Sequence, residues 1–169
     1  MRQIGIEPDR VIAPKIDESA LPGELPRAFA RRMALEKLLP EEESFVIAAD
    51  TVVSVGRRIL HKTDSQPTAE RYIRLLSGRR HRVHSAVAVR APSGQTAFRV
   101  VESIVGFARL DEPQLHAYLV GDEWRGKAGG YAIQGVAAGF IDHLSGSYSA
   151  VVGLPLHETL KLLQGLGWH

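Results

Sequence analysis

The glycine-rich stretch over residues 121–155 is the part of this sequence that most restricts how the chain can fold. Five glycines lie between positions 126 and 139, and few charged side chains follow Lys127. Glycine loses more backbone entropy on folding than any other residue, so this density favours positive φ angles or a close approach of the backbone to another group. We therefore expect a ligand to lie against this backbone. An ordinary glycine-rich loop between strands is the alternative.

The composition sets the class of protein. At 169 residues, the chain fits a single domain over residues 1–169. The hydrophobic fraction of 44% and the charged fraction of 24% are typical of a soluble globular protein. No apolar run approaches the roughly 18 residues of a membrane span, and no signal peptide is visible, so we expect a cytoplasmic protein without a membrane partner. Because cysteine is absent, any metal must take oxygen or histidine ligands.

The basic residues give little support to nucleic-acid binding. The formal net charge is only +2, and the densest basic run, residues 79–82, has no aromatic residues between its cations. A solvated turn or contacts with a small anionic ligand explain this run better than stable nucleic-acid binding.

Two acidic residues follow extended segments. The apolar run over residues 45–49 has no polar alternation, which is typical of a strand covered on both faces, and Asp50 and Thr51 come directly after it. In open α/β sheets, ligands bind at the carboxyl ends of central strands, so Asp50 is a strong functional candidate. Glu18 is predicted at the end of an extended segment that begins at Val11, where a solvated loop is the alternative.

Lys37 lies on the apolar face of a helix predicted over residues 26–39, because it continues that face at the i, i+3, i+4, i+7 spacing. Burial of an unpaired ammonium is costly. Two interpretations stay open: the stem is buried while the charged head reaches water, or the head meets a carboxylate or a phosphate.

The rest of the pattern predicts alternating strands and helices. Strands are expected at residues 59–60, 83–89, 98–107 and 140–144, and the two longest read as an antiparallel pair joined by a turn at residues 92–94. Helices are expected to start near Thr68, Asp111 and Pro155.

Four segments resemble the Maf family of nucleoside triphosphate pyrophosphatases. They are AADTVV at 48–53, SGRRHRV at 77–83, GKAGGYAIQG at 126–135 and GSYSAVVGLPLHET at 146–159. Their order and spacing match as well. The resemblance implies an α/β fold similar to that of the inosine triphosphate pyrophosphatases, with a twisted mixed central sheet, flanking helices and two lobes around a cleft.

The resemblance also implies an activity. Members hydrolyse a nucleoside triphosphate to the monophosphate and pyrophosphate with a divalent metal, Mg²⁺ or Mn²⁺, and a homodimer is expected. The GKAGxYxIQG form resembles the branch that acts on dTTP and UTP, and modified pyrimidine nucleotides are further candidate substrates.

Four residues are implied to be catalytic by this resemblance. Asp50 matches the family's proton acceptor, and Glu18, Lys37 and Lys62 fall on motif positions. Carboxylates that hold a metal and lysines that neutralise phosphate oxygens suit the attack of water on a phosphoryl group. Asp50 and Glu18 are the expected metal ligands. The sequence leaves open whether Asp50 or Glu18 orients the water, binds the metal, or does both.

Four further residues are implied to contact the substrate. Thr51 and Gln134 match positions associated with substrate choice, and Lys127 and Ser85 are expected near the phosphates or the ligand. The carboxamide of Gln134 offers one acceptor and two donors, which can pair with the O4, N3–H and O2 edge of uracil or thymine.

The sequence departs from the family pattern in two places. The family opens with a strand and an SxSPRR phosphate loop, whereas this sequence begins at Met1 with a match to the helix behind that loop, so we expect either an upstream start or a truncated form. Thr63 follows Lys62 where the family has proline. A second hypothesis is therefore a nucleotide-binding regulator of septum formation with impaired catalysis.

Overall fold

Five strands form one sheet in the computed structural model, which describes residues 1–40 and 43–169. They are β1 (Val46–Val55), β2 (Arg58–Leu60), β3 (Arg80–Arg90), β4 (Thr96–Phe107) and β5 (Ile141–Ser145). The order across the sheet is β2-β1-β3-β4-β5, and each pairing of these strands is antiparallel. The α/β class is confirmed. The sheet is antiparallel where a mixed sheet was expected. Short hairpin turns join β1 to β2 and β3 to β4, and such turns can connect only antiparallel strands, which accounts for these two pairings.

In the part of the chain that the structure describes, five α-helices accompany the sheet: α1 (Pro26–Glu36), α2 (Gln66–Leu76), α3 (Glu112–Val120), α4 (Tyr148–Val152) and α5 (Leu156–Gly165). Short 3₁₀ turns occur at Arg2–Ile4, Ala128–Gly130 and Val136–Phe140. Asp111 caps α3 as predicted, in a reciprocal pair of hydrogen bonds with Gln114. The predicted cap at Thr68 is wrong, because α2 begins at Gln66 with Pro67 in its first turn, a position that proline suits.

The helices cover the two faces of the sheet unequally. On one face, α1 packs Phe29 and Met33 against Ala48 and Ala86. On the other face, α2 and α3 enclose a large cluster that includes the fully buried Trp124, while α5 covers the end of β3. Burial of these apolar faces is the main term that stabilises such a layered arrangement.

The segment before α1 differs from the prediction. Residues 6–25, all of which are described, contain no strand, although an extended strand from Val11 was expected. The side chain of Val11 is 86% exposed, so it has no apolar layer to pack against. Glu18 is therefore positioned by its side-chain ion pairs and not by strand pairing.

The edge of β1 determines where a ligand can enter. β2 pairs only with Val53, Ser54 and Val55, so within residues 1–40 and 43–169 the outer edge of β1 over residues 46–52 has no strand partner. Asp50 and Thr51 point to opposite faces of the sheet because successive side chains alternate along a strand. Both can be reached from this edge. None of the described helices has the length and apolar character that a membrane crossing requires.

Candidate active site

A cavity of about 320 Å³ lies at the unpaired edge of β1. Its walls are β1, the loop over residues 126–134, and the end of α4 with Gly153. The structure brings six of the predicted residues to this one cavity: Lys37, Asp50, Thr51, Lys62, Lys127 and Gln134. Glu18 joins them through its ion pairs with Lys37 and Lys62.

Four charged side chains form a continuous network of alternating charge. The ammonium of Lys62 lies 2.8 Å from Oε2 of Glu18, and the ammonium of Lys37 lies 2.6 Å from Oε1 of the same residue. Lys37 also donates to Oδ1 of Asp50 at 2.6 Å. Of the two interpretations of Lys37, the second holds in this structure: the ammonium meets two carboxylates, and the side chain is only 13% exposed.

The environment moves the pKa values of this network in different directions. Burial raises the pKa of Asp50, although the hydrogen bond from Lys37 opposes that shift. Burial also acts to raise the pKa of Glu18, but the hydrogen bonds from Lys37 and Lys62 outweigh it and the pKa is lowered. For Lys37, burial is outweighed by hydrogen bonds to Asp50 and Glu18, and the pKa is raised. Asp50 is thus the carboxylate better suited to accept a proton, and Glu18 the one held as an anion.

Hydroxyl groups join the sheet to the turn after α4. Oγ1 of Thr51 lies 3.1 Å from Oγ of Ser85 and 3.4 Å from the carbonyl oxygen of Gly153. Ser85 is fully buried, and its hydroxyl donates to the carbonyl of Ala150. Ser85 therefore lies behind the cavity wall and not on the lining where a phosphate contact was expected. Ser85 instead links Thr51 to α4 through the carbonyl of Ala150. Gly153, which Thr51 contacts, is a lining residue that the sequence analysis missed.

The glycine-rich loop crosses β1 at close range. Gly129 has φ 70°, and a Cβ at that position would lie 2.8 Å from Cγ1 of Val53. Both the positive φ and the lack of space require glycine here. The group that this backbone approaches closely is therefore strand β1 of the sheet. The same loop brings Gln134 to the cavity.

A buried histidine that the sequence analysis did not single out supports this loop. Nε2 of His81 lies 2.7 Å from the hydroxyl of Tyr131, which lines the cavity. Burial lowers the pKa of His81 to about 4, so the ring is neutral near pH 7. The run over residues 79–82 was interpreted as a basic turn, but His81 shares the inward face of β3 with Val83. Alternation along the strand was the signal that could have found it.

Replacement of His81 with phenylalanine is expected to weaken the pH dependence of stability. The ordinary pKa of 6.5 falls to about 4 in the folded protein, so between these values the unfolded chain binds more protons. Folding stability therefore decreases as the pH falls, by about 2 kcal/mol from this group between pH 7 and pH 5. Urea unfolding of wild type and His81→Phe at both pH values measures the difference.

The control for this prediction is His116→Gln, since His116 is exposed on α3. His81→Phe should be less stable than wild type at neutral pH, because Tyr131 loses its partner, yet it should lose less on acidification. An equal acid-induced loss in wild type and His81→Phe would contradict the assignment.

Comparison with known proteins shows the family to which the chain belongs. The model of the family described as Maf-like protein matches residues 1–166. The chain belongs to this Maf-like family. A dTTP/UTP pyrophosphatase of Maricaulis maris is 53% identical over 167 residues, which cover 97% of this chain and 80% of the relative.

Two further relatives carry related names. A dTTP/UTP pyrophosphatase of Caulobacter vibrioides is 51% identical over 172 residues, covering 99% of this chain and 89% of the relative. A nucleoside triphosphate pyrophosphatase of Anaplasma phagocytophilum is 48% identical over 169 residues, covering 98% of this chain and 88% of the relative. The similarity extends over nearly the whole chain in each case.

Proposed function

We propose that this Maf-like protein is a nucleoside triphosphate pyrophosphatase that hydrolyses dTTP and UTP to the monophosphate and pyrophosphate. One observation carries the proposal: Lys62, Glu18, Lys37 and Asp50 form a single charged network at the cavity that Gln134 also lines. Relatives with 51% and 53% identity that are named dTTP/UTP pyrophosphatase support the same substrate class.

In the proposed reaction, water attacks the α-phosphorus, the bond from that phosphorus to the oxygen bridging to the β-phosphate breaks, and pyrophosphate leaves. Asp50 takes the proton of the attacking water. Its raised pKa suits this role, because a general base works best when its pKa lies nearer the working pH. Lys37 and Lys62 transfer their hydrogen bonds from carboxylates to nonbridging phosphate oxygens, where they neutralise the charge that develops.

We also propose that the reaction uses a divalent cation, Mg²⁺ or Mn²⁺, held by Asp50 and Glu18. Oxygens of Asp50 and Glu18 both lie 2.6 Å from the ammonium nitrogen of Lys37, so the two carboxylates converge on one position that favours positive charge. Residues 1–40 and 43–169 contain no group of three or more His, Asp or Glu side chains suited to a metal. Two carboxylates fit Mg²⁺, which commonly completes its shell with waters and substrate phosphates. An ion held by Asp50 and Glu18 would neutralise phosphate oxygens.

The choice of base is assigned to Gln134. Its carboxamide can pair with the alternating acceptors and donor of uracil or thymine, whereas cytosine presents a different edge. A site that hydrogen-bonds its substrate rejects an analogue that leaves buried polar groups unpaired. Thr51 lines the same cavity, and its hydroxyl is held by contacts with Ser85 and the carbonyl of Gly153.

The test of function is pyrophosphate release from dTTP, UTP, CTP and GTP by the purified protein with Mg²⁺. We expect turnover with dTTP and UTP well above that with CTP and GTP. Binding of the triphosphates without turnover would instead support the non-catalytic regulator, which no residue of the network favours. A homodimer and a cytoplasmic location stay predictions, and the molar mass in solution tests the first of them.

Gln134→Ala is expected to lower the preference for UTP over CTP more than it lowers overall turnover. Loss of one to two hydrogen bonds to the base corresponds to roughly 5- to 30-fold in the ratio of kcat/KM values. The matched control is Gln114→Ala, in the first turn of α3, where the side-chain carbonyl of Gln114 accepts a hydrogen bond from the backbone N–H of Asp111. If the ratio stays constant while all rates fall together, Gln134 supports the loop and does not read the base.

A further inference from the structure

Gly135, the residue that follows Gln134, has no room for a side chain. Its φ of −108° is open to any residue, so backbone conformation does not explain the glycine. A Cβ at this position would lie 1.2 Å from Oε1 of Glu123. The carboxylate of Glu123 thus occupies the space beside this backbone, and a side chain at position 135 would have to displace it.

The same carboxylate holds the next residue. Oε2 of Glu123 accepts a hydrogen bond from the backbone N–H of Val136 at 2.8 Å. Oε1 is buried and has no hydrogen-bond partner within the part of the chain that the structure describes. A charged acceptor strengthens such a bond. Glu123 therefore fixes the backbone immediately after Gln134 by both contact and hydrogen bonding.

Glu123 is itself attached to a rigid part of the molecule. The next residue, Trp124, is fully buried, and its indole N–H donates to the carbonyl of Leu119 at 3.0 Å. The guanidinium of Arg125 lies 4.4 Å from the centre of the Trp124 ring. The core next to α3 thus fixes the position of Glu123. The contacts of Glu123 with Gly135 and Val136 then fix the position of the loop.

We propose that Glu123 is a positioning residue for base selection. This inference rests on the proposed function, since it concerns the same cavity. Glu123 does not line the cavity. It acts through Gly135 and Val136, and it holds the Gln134 carboxamide at the depth where that group meets the edge of a uracil or thymine base.

The test compares kcat/KM for UTP and CTP in wild type, Glu123→Ala and Glu123→Gln. Glu123→Ala should lower the UTP-over-CTP ratio about 10-fold, the equivalent of about 1.4 kcal/mol. Glu123→Gln keeps an oxygen that accepts from Val136, so its ratio should stay within about 3-fold of wild type. Glu112→Ala is the control, because Glu112 forms only an exposed ion pair with Arg74 at the start of α3.

Gly135→Ala and the double variant Glu123→Ala, Gly135→Ala provide a second measurement. The added methyl group should displace the carboxylate and lower the ratio about as much as Glu123→Ala does. In the double variant, the methyl group enters the space that the carboxylate leaves, so the combined loss should be smaller than the product of the single losses. Multiplicative losses would contradict a direct contact.

The outcomes separate this inference from the proposed function. An active wild type together with an unchanged ratio in Glu123→Ala overturns the inference and leaves the function intact, even where the melting temperature falls. If wild type releases no pyrophosphate, the proposed function fails. Calorimetric titration with non-hydrolysable UTP and CTP analogues then decides the inference, which survives only if Glu123→Ala lowers a preference that wild type shows.

Discussion

Asp50→Asn is expected to lower kcat for dTTP and UTP about a thousandfold, within the range that loss of a general base produces. Asparagine has nearly the same shape as aspartate and can still accept a hydrogen bond from Lys37. It cannot take a proton from water, and it removes one of the two carboxylates that converge on Lys37. The variant should therefore keep the shape of the site but lack the general base.

The measurement is single-turnover and steady-state pyrophosphate release, with circular dichroism to confirm folding. Asp64→Asn is the matched control, since Asp64 is exposed and only its backbone carbonyl receives a bond, from Arg125. Asp50→Asn should still bind a triphosphate through the lysines. A folded Asp50→Asn variant that turns over at nearly the wild-type rate would remove Asp50 from the centre of the mechanism.

The sequence was most informative where a local pattern decides the structure. The unbroken apolar run before Asp50 predicted a buried strand, and the helical spacing at Lys37 predicted that its stem lies on the apolar face of the helix. Both follow from local sequence patterns, a continuous apolar run in the first case and a helical period in the second. The antiparallel pairing of β3 with β4 was predictable for the same reason, because a short turn joins two strand-like segments.

Contacts between residues distant in sequence were not predictable in this way. Glu18 lies in a segment without strand structure, and its position depends on Lys37 and Lys62, which are 19 and 44 residues away. Glu123 and Gly135 are a further case, since only the folded loop shows that a carboxylate fills the space beside that glycine. The resemblance to a family supplied the role of Glu18 but gave no reason for the contact.

Lys37→Met is expected to lower kcat/KM about 100-fold, because one charge-assisted hydrogen bond is worth about 1.5 to 3 kcal/mol. Methionine keeps the apolar stem on α1 and removes only the ammonium. The pKa of Asp50 should then rise further, since the hydrogen bond from Lys37 is the strongest influence that lowers it. A base with a higher pKa is ionised only at higher pH, so the acid limb of the kcat/KM profile should move to higher pH.

Lys62→Met separates charge neutralisation from the effect on Asp50. Lys62 pairs with Glu18, and its influence on the pKa of Asp50 is weaker than that of Lys37. Loss of its ammonium should lower kcat/KM but move the acid limb less. Lys161→Met, on the exposed side of α5, should change neither quantity. If Lys37→Met lowers the rate with no movement of the acid limb, Lys37 contacts phosphate without tuning Asp50. If neither quantity changes, the ion pair with Asp50 has no part in catalysis.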